Sequence, residues 1–331
     1  MAEYKDVLVY AESTNGKLSV ITKELMHIGR KLADDLGENL AALVVSDIIG
    51  QQPQEAISYG ADRVFTASDL LLKDYQTDVF TVAVNNAVQE VKPRIVLTGQ
   101  TAIGRDLAPR FAFRLKTASI MDCVSLEIDK DTKRLLGTRP VYGGNALAVF
   151  SSEITPQVAT VRAKAFPAAQ QDSSRKGEVI SIDAGIDASF VRMKILEKIV
   201  KEVEGLKLED AAIVVSGGRG IGSAEGFKQL GELAVLLNGA VGASRPPCDN
   251  GWVPEMLQIG ITGKIIAPDI YFAIALSGSS QHLSGVSGAK NIVAINKDPE
   301  ANIFKVADYG VVGDWKKVIP ALNNKVRELV S

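Results

Sequence analysis

The sequence predicts an α/β protein of two domains, each with a mostly parallel sheet flanked by helices. Its 331 residues exceed the size of an ordinary single domain, roughly 100–200 residues. In both halves, short apolar runs alternate with amphipathic stretches, which is typical of parallel strands joined by crossover helices. Between the halves, Ala168–Gly177 is polar and rich in Ala, Gln, Ser and Asp, a composition typical of a linker.

The first domain is assigned to residues 1–188, with the linker at about 167–188. Apolar runs predict buried strands at 7–11, 40–45, 64–66 and 95–98. Residues spaced three or four apart predict helices at 19–36, 53–59, 78–91 and 105–116. After the last helix, further strands joined by turns are expected to finish the domain with antiparallel pieces, at 122–129, 135–139, 146–151 and 157–163.

The second domain is assigned to residues 189–331. Residues 179–182 and 191–200 are expected to cross to it as extended segments. A strand at 213–216 ends in a glycine-rich turn, and a helix follows near 225–237. Further strands are predicted at 240–243, 265–266, 271–276, 292–295 and 310–312, before a closing helix at 315–330.

Composition argues against a nucleic-acid-binding protein, though not against a local basic site, and against a disulfide-rich or membrane-spanning one. The net charge of −2 and the pI near 5.9 create no overall field that would attract nucleic acid or anionic lipid. Cys123 and Cys248 form neither a metal-ligand spacing nor a disulfide framework, which fits a reducing compartment. Without a signal segment or an apolar run of about 18 residues, a cytoplasmic protein with no metal is expected.

Four loops at strand ends of the second domain carry glycine, hydroxyl or cationic side chains. They are Ser216–Gly222, Gly242–Pro247, Gly260–Lys264 and Ser277–His282. Taken singly, each loop can be explained without a ligand, as a tight turn, a surface arginine or a helix cap. Because ligands of open α/β sheets bind at the carboxyl ends of the strands, four such loops in one sheet predict a single site. Serines and glycines at such positions are suited to bind phosphate groups. Together with the arginines, they indicate a long ligand, with phosphates at one end and a polar ring at the other.

Residues 217–314 resemble the α subunit of electron transfer flavoproteins. The matching stretches are Gly217-Gly-Arg-Gly, Ala240-Val-Gly-Ala-Ser-Arg, Thr262-Gly-Lys, Ser277-Gly-Ser-Ser-Gln-His, Ile295-Asn-Lys-Asp-Pro-Glu and Val306-Ala-Asp-Tyr-Gly. Their order and spacing also match. The first domain contains further matching stretches, at Thr101–Arg110, Thr138–Asn145 and Ala159–Ala163. The resemblance therefore covers essentially the whole chain.

This resemblance implies that the second domain is a Rossmann/flavodoxin-like domain that binds FAD. The positions that it assigns to cofactor binding are Arg219, Ser244, Arg245, Ile259, Gly260, Ile261, Thr262, Ser277, Gly278, Ser279, Ser280, Gln281, His282, Asn296, Asp314 and Trp315. It places Arg245 at the flavin ring, Thr262 at the N5 side and His282 at the O2 side. Asn296 and Asp314 fall at the adenosine end. Ile261 stands where many members have glutamine, which removes a polar contact.

Arg245, His282 and Thr262 are the expected redox-tuning residues. We expect Arg245 and His282 to supply a positive or hydrogen-bonding field at the reduced flavin. A unit charge at about 4 Å contributes roughly 4 kcal/mol at an effective dielectric near 20. That energy corresponds to about 170 mV for one electron. One arginine can therefore decide the potential.

The resemblance also implies partners. It predicts a heterodimer with a β subunit, which would hold AMP or a second FAD, and an interface formed in part by the first domain. The electron donors would be flavin dehydrogenases such as acyl-CoA dehydrogenases, and the acceptor a quinone oxidoreductase or ferredoxin. Thr101–Arg110 is expected to be a capped helix rather than a phosphate loop.

Three other functions are consistent with parts of the sequence. A bifurcating flavoprotein would oxidise NADH and reduce ferredoxin plus a second acceptor, through residues of the β subunit. A self-contained NAD-dependent dehydrogenase would need a dinucleotide fingerprint, but Ser223 stands where its third glycine should be. A redox-silent interaction protein would leave the four loops unexplained. The chain is therefore expected to be an electron carrier, with enzymatic activity of its own only in the bifurcating case.

Overall fold

The computed structural model of the chain describes residues 4–144, 146–193, 195–197 and 206–330. The chain divides into two compact units, Met1–Val141 with Leu147–Lys198, and Tyr142–Ala146 with Ile199–Ser331. The predicted domain boundary, at residue 188, lies before Lys198, where the first unit ends. Of the expected crossing segment 191–200, residues 194 and 198–200 lie outside the described residues, as does Asn145. None of the described helices is both long and apolar enough to cross a membrane.

The described chain before residue 198 forms twelve strands and four α-helices. The strands are β1 (Val7–Tyr10), β2 (Ser13–Thr14), β3 (Lys17–Leu18), β4 (Leu40–Ser46), β5 (Arg63–Ser68), β6 (Ile95–Gly99), β7 (Ser119–Cys123), β8 (Ser125–Ile128), β9 (Leu135–Val141), β10 (Ala146–Phe150), β11 (Gln157–Val161) and β12 (Glu178–Ile182). The helices are α1 (Val20–Leu36), α2 (Gln52–Ser58), α3 (Thr77–Val91) and α4 (Ala102–Arg114). Helix α1 begins where the Ser19 hydroxyl accepts from the Thr22 amide and ends at Gly37, whose φ is 68°.

The main sheet of the first unit has seven strands in the order β12-β5-β4-β1-β6-β11-β7. Its strands pair in parallel, and strands such as β1 and β11 are buried along their whole length. Apolar side chains of α1 pack with one face, and those of α3 and α4 with the other. Burial on both faces explains why these strands are continuous apolar runs rather than alternating ones.

The prediction for the end of the first domain was right for one part and wrong for two. Strands β8 and β9 are antiparallel, as expected. However, residues 157–161 form β11, which inserts parallel between β6 and β7. Residues 178–182 do not cross to the second domain, because β12 pairs parallel with β5 and closes that edge of the sheet. These pairings are long-range, so local sequence patterns do not reveal them.

The second unit is built on a five-stranded parallel sheet in the order β14-β13-β15-β16-β17. Its strands are β13 (Ile213–Gly217), β14 (Ala240–Ala243), β15 (Ile270–Ile274), β16 (Asn291–Asn296) and β17 (Tyr309–Val312). Its helices are α5 (Ala224–Leu236), α6 (Arg245–Asp249), α7 (Ser280–Leu283) and α8 (Trp315–Val330). The chain leaves β13 for one neighbour and later returns to its other side, so the order reverses between β13 and β15. A crevice for a ligand forms at such a switch point.

One predicted strand of the second domain does not form. Residues 265–266 lie outside the sheet, and the neighbouring Lys264 makes only an isolated bridge with Ile259. The Ile266 amide donates instead to the Gly285 carbonyl, at 2.8 Å. Ile266 therefore fills the core below a loop rather than extending the sheet.

Candidate functional site

The four loops that the sequence singled out meet in one cavity at the carboxyl edge of the second sheet. The cavity has a volume of about 820 Å³. Its lining comes from the loops after β13, β14, β15 and β16, together with the turn around Thr262. Of the predicted site residues, those that line it are Arg219, Ser244, Arg245, Ile259, Gly260, Ile261, Thr262, Ser277, Gly278, Ser279, Gln281, His282 and Asn296.

Backbone packing between two loops forms the floor of the cavity. The Gly218 amide donates to the Ile274 carbonyl at 2.9 Å, and the Ala275 amide donates to the Ile295 carbonyl at 2.7 Å. A Cβ on Gly218 would overlap the Ala275 carbonyl oxygen. Gly218 is thus required because two backbones cross here, at the switch point between β13 and β15. This glycine is therefore explained by the packing of the two loops, without reference to a ligand.

The turn after Gln258 presents a hydroxyl to the cavity. Gly260 has a φ of 145°, and a Cβ there would lie 2.8 Å from the Gln281 carbonyl oxygen. The Gln258 side-chain amide donates to the Thr262 hydroxyl oxygen at 3.0 Å. Because that oxygen already accepts a bond, the Thr262 proton is free to be donated elsewhere. Ile261 is 57% exposed, so it adds an apolar surface at this point.

The loop after β15 carries the serines. Gly278 has a φ of 77°, and a Cβ there would overlap the Ile303 amide nitrogen of the following loop. Ser279 precedes α7 but makes no capping bond through its hydroxyl. That hydroxyl and the cavity-lining Ser277 therefore supply polar groups that the helix does not consume. Ser280 is outside the lining, and its hydroxyl lies 3.4 Å from Gln281 Oε1.

His282 is buried and neutral. Only 4% of its surface is exposed, and burial lowers its pKa to about 4. Nδ1 lies 3.0 Å from the Ile259 carbonyl oxygen, and Nε2 lies 2.6 Å from the Tyr271 hydroxyl. Both ring nitrogens are thus engaged within the protein. The sequence predicts a positive or hydrogen-bonding field from this side chain. Of these two, burial disfavours the positive form, because desolvation opposes the imidazolium.

The cationic groups of the cavity are Arg219, Arg245 and Lys297. Arg245 opens α6, and its Nε lies 3.3 Å from Asp249 Oδ2. Its side chain is 66% exposed, so water screens this ion pair. The cavity also contains Asp298 and Glu300. The positive charge is therefore placed at particular points of the rim rather than spread over the whole cavity.

Three predicted site residues lie away from the cavity lining: Ser280, Asp314 and Trp315. Asp314 Oδ1 accepts from the Lys316 amide at 3.0 Å, at the start of α8. Trp315 is buried, and its indole N–H donates to the Gly220 carbonyl at 3.2 Å. The structure therefore gives Asp314 a role in starting α8, and Trp315 a role in holding that helix to the loop after β13.

Asn296 lines the cavity, but both ends of its side-chain amide are engaged by the protein. Its amide nitrogen donates to the Leu276 carbonyl at 2.7 Å, and its oxygen accepts from the Asp298 amide at 3.0 Å. These bonds join the loop after β16 to the loop after β15. Asn296 therefore shapes this end of the cavity through the backbone that it holds.

Sequence reasoning missed several lining residues. Among them are Gln258, Lys297, Asp298, Glu300 and Asn302. The signal for Gln258 was weak, since it is a polar side chain beside an apolar segment and only folding places its amide against Thr262. Lys297, Asp298 and Glu300 belong to a stretch that carried the family resemblance, so the motif could have included them.

In the first unit, the loop between β6 and α4 also lies at a strand end, but its hydroxyl group is used within the protein. Thr101 caps α4, since its hydroxyl accepts from the Gly104 amide at 3.0 Å, as predicted for a capped helix. The same hydroxyl donates to Glu12 Oε1 at 2.7 Å. Burial raises the pKa of Glu12 to about 7, so this group is only partly ionised near neutral pH. The Thr101 hydroxyl is already used by the helix cap and by Glu12. Thr101–Arg110 therefore does not have the character of a phosphate loop.

Neither cysteine has the character of a reactive thiolate. Burial, with a contribution from Asp249, raises the pKa of Cys248 to about 11. Burial raises the pKa of Cys123 to about 12. Both thiols stay protonated near neutral pH, so Cys248 is a bystander next to the arginine loop. In the described part of the chain, no cluster of His, Cys, Asp and Glu is arranged to hold a metal ion.

The cavity fits the chemistry expected of an FAD site. Its volume falls within the range of about 300–1,000 Å³ that is usual for cofactor sites. Glycines keep the backbone bare where the loops cross, and uncommitted hydroxyls of the serine loop suit phosphate oxygens. Arg245 and the Thr262 hydroxyl offer a cation and a donor for a polar ring. The donor set therefore suits a ligand with both phosphates and a polar ring.

Two family descriptions match the chain. Residues 7–187 match the electron transfer flavoprotein domain, and residues 207–287 match the electron transfer flavoprotein FAD-binding domain. Together they reach into both units. The FAD-binding match includes the loops after β13, β14 and β15 and the turn around Thr262.

Full-length relatives agree with this assignment. The chain is 45% identical to the electron transfer flavoprotein subunit alpha of Thermoanaerobacterium thermosaccharolyticum, over 99% of this chain and 100% of the relative. It is 42% identical to that of Megasphaera elsdenii, over 99% and 98%. It is also 40% identical to Protein FixB of Clostridium saccharobutylicum, over 100% and 99%. The chain therefore belongs to the electron transfer flavoprotein family, as an α subunit with an FAD-binding domain.

Proposed function

We propose that this chain holds one FAD in the cavity of its second unit and works as the electron-carrying subunit of a heterodimer with a β subunit. The observation that carries the proposal is the convergence of the strand-end loops into one cavity of about 820 Å³ at the switch point. When bound, FAD supplies the redox chemistry, and the protein supplies binding, orientation and electrostatics.

The site residues divide this work among them. The loop Ser277–Gln281 would hold the phosphates through its hydroxyls and backbone amides. Arg245 would place a cation at the ring. Gln258 fixes the Thr262 hydroxyl so that its proton can be donated into the cavity. Ile261, apolar and exposed, would cover the ring without a hydrogen bond.

The far end of the cavity would be shaped by residues that act through the backbone. Asn296 would help to form it, because its side chain joins the loops after β15 and β16. Trp315 would hold the loop after β13 in place, because its indole N–H donates to the Gly220 carbonyl of that loop. Asp314 would act through the start of α8.

Exposed apolar strands support the expected heterodimer. Strand β10 presents Leu147 and Val149 at 65% and 62% exposure, and strand β17 presents Val312 at 60%. Apolar surface of this kind marks interfaces with other proteins. A partner subunit that covers it would hold AMP or a second FAD of its own. The electron donors would be flavin dehydrogenases such as acyl-CoA dehydrogenases, and the acceptor a quinone oxidoreductase or ferredoxin.

Counting flavins tests the proposal. The chain is co-expressed with its partner, and the purified complex is examined by its visible spectrum and by extraction of nucleotides. We expect a yellow complex with one FAD in this chain. One FAD plus AMP per heterodimer supports the simple carrier, whereas two FAD with NADH-dependent ferredoxin reduction supports bifurcation. A colourless complex that is fully active in electron transfer would refute the FAD proposal.

A self-contained NAD-dependent dehydrogenase is less well supported. Ser223, which stands where the third glycine of the dinucleotide fingerprint would be, caps α5 by accepting from the Gly226 amide at 3.2 Å. The cavity-lining histidine has both nitrogens engaged within the protein. A general base therefore lacks a free lone pair at this position.

A further inference from the structure

Two hydrogen bonds below the cavity specify the tautomer of His282. The Ile259 carbonyl oxygen can only accept a hydrogen bond, so the nitrogen that contacts it, Nδ1, carries the proton. In the neutral ring, Nε2 then keeps its lone pair. That lone pair faces the Tyr271 hydroxyl, which donates to it over 2.6 Å. The two partners together specify one of the two neutral tautomers.

Burial keeps the pair in this state. Tyr271 lies on β15 with no exposed surface, and His282 is 4% exposed. Protonating His282 would place a charge on a side chain that is shielded from solvent, and would turn Nε2 into a second donor. Within the described residues, Tyr271 is the titratable side chain that is hydrogen-bonded to His282. Burial raises the pKa of Tyr271, so this hydroxyl keeps its proton and remains a donor.

We propose that Tyr271 is a positioning residue, which holds His282 as a neutral Nδ1–H tautomer at the wall of the flavin cavity. His282 then acts on the flavin as a fixed neutral dipole, and the charge near the ring comes from Arg245. This inference rests on the proposed FAD site. It differs from a cationic histidine in a measurable way, because a neutral ring contributes no charge that changes with pH.

Nitrogen NMR reads the tautomer directly. The chain has two histidines, so a full chain labelled with ¹⁵N-histidine gives the signals of two imidazole rings. A His27→Gln variant removes the exposed one and assigns the other. In the wild type we expect His282 to show a protonated Nδ1 and a hydrogen-bonded, unprotonated Nε2. These signals should not change between about pH 8 and pH 5, since burial lowers the pKa of His282 to about 4.

Tyr271→Phe tests the link between this tautomer and the flavin. It removes one hydroxyl and keeps the ring that packs in the core. Tyr4→Phe, before β1 in the first unit, is the matched control. In Tyr271→Phe we expect Nε2 to lose its hydrogen-bond shift and His282 to titrate at a higher pH than in the wild type. The flavin midpoint potential should then rise relative to the wild type as the pH falls from about 8 to about 5.5.

Several results would overturn the proposal. One is a wild-type spectrum in which Nε2 carries the proton, or a ring that titrates near the ordinary pKa of about 6.5. Another is a Tyr271→Phe potential that equals that of Tyr4→Phe at every pH, which would make Tyr271 a purely structural residue. If Tyr271→Phe does not fold, the wild-type spectrum still decides the tautomer. A wild-type complex without flavin absorbance would refute the FAD site itself, and the NMR result would remain separate from that failure.

Discussion

At the scale of single residues, the surroundings of Arg245 and His282 assign them opposite electrostatic roles. Arg245 is 66% exposed and pairs with Asp249, whereas His282 is buried and has both nitrogens engaged. An exposed guanidinium stays charged at any physiological pH, but a buried imidazole does not. The sequence offers both as cationic candidates. Only the folded chain separates them.

Arg245→Ala should lower the flavin midpoint potential. A charge at about 4 Å contributes roughly 1 kcal/mol in water and about 4 kcal/mol at an effective dielectric of 20. For one electron these energies correspond to about 40 mV and about 170 mV. Because Arg245 is largely exposed, we expect a shift nearer the lower value. Spectroelectrochemical titration of the complex measures it.

Two variants serve as controls for this loss of charge. Arg245→Lys keeps the charge and should retain most of the potential. Asp249→Asn removes the carboxylate that lies 3.3 Å from Arg245 Nε, so it should shift the potential upward. A lower potential in Asp249→Asn, or an unchanged one in Arg245→Ala, would contradict an electrostatic role for the arginine.

At the scale of elements, glycines of the second unit fall into two kinds. Gly218 lies where the loop after β13 crosses the loop after β15, and a Cβ there would overlap a backbone oxygen. Gly231 lies inside α5, where an added Cβ would point into open space. The first glycine is needed for the crossing. The second only weakens a helix, because glycine costs about 1 kcal/mol relative to alanine in a helix interior.

The Gly218→Ala and Gly231→Ala variants should therefore change stability in opposite directions. Overpacking at Gly218 should reduce the free energy of unfolding by about 1–3 kcal/mol and weaken FAD binding. Gly231→Ala should raise it by about 0.5–1 kcal/mol and leave FAD binding unchanged. Urea denaturation and flavin titration measure both effects. Equal stability of the two variants would mean that the backbone at Gly218 yields easily.

At the scale of the whole molecule, each unit has its own apolar core. The first unit has cores on both faces of its seven-stranded sheet, and the second has two smaller ones around its five strands. Both tryptophans of the chain, Trp252 and Trp315, belong to the second unit. Tryptophan fluorescence therefore reports the unfolding of the unit that contains the cavity.

FAD should stabilise the second unit selectively. A ligand at 100 times its Kd stabilises the state that binds it by about 2.7 kcal/mol. We expect the unfolding transition seen by tryptophan fluorescence to move to higher urea when FAD is added. A second transition, seen by far-UV circular dichroism, should stay in place. One transition that moves as a whole in both measurements would show that the units unfold together.

Local sequence patterns are enough to predict the two α/β units, the loops of the site and the family. Strands such as β1 and β6 and helices such as α1 and α8 follow from periodicity and capping, which are local properties. The glycines, serines and arginines of the site stand at predicted strand ends. Their order and spacing also carried the resemblance to the α subunit.

Strand pairing and the hydrogen bonds of the site residues depend instead on long-range contacts in the folded chain. Strand β12 pairs with β5, and β11 inserts beside β6, through contacts between residues far apart in the chain. Gln258 meets Thr262 only because a turn folds back, and Tyr271 meets His282 across the core. The charge of His282 depends on that burial and on those partners, and neither is a property of the local sequence.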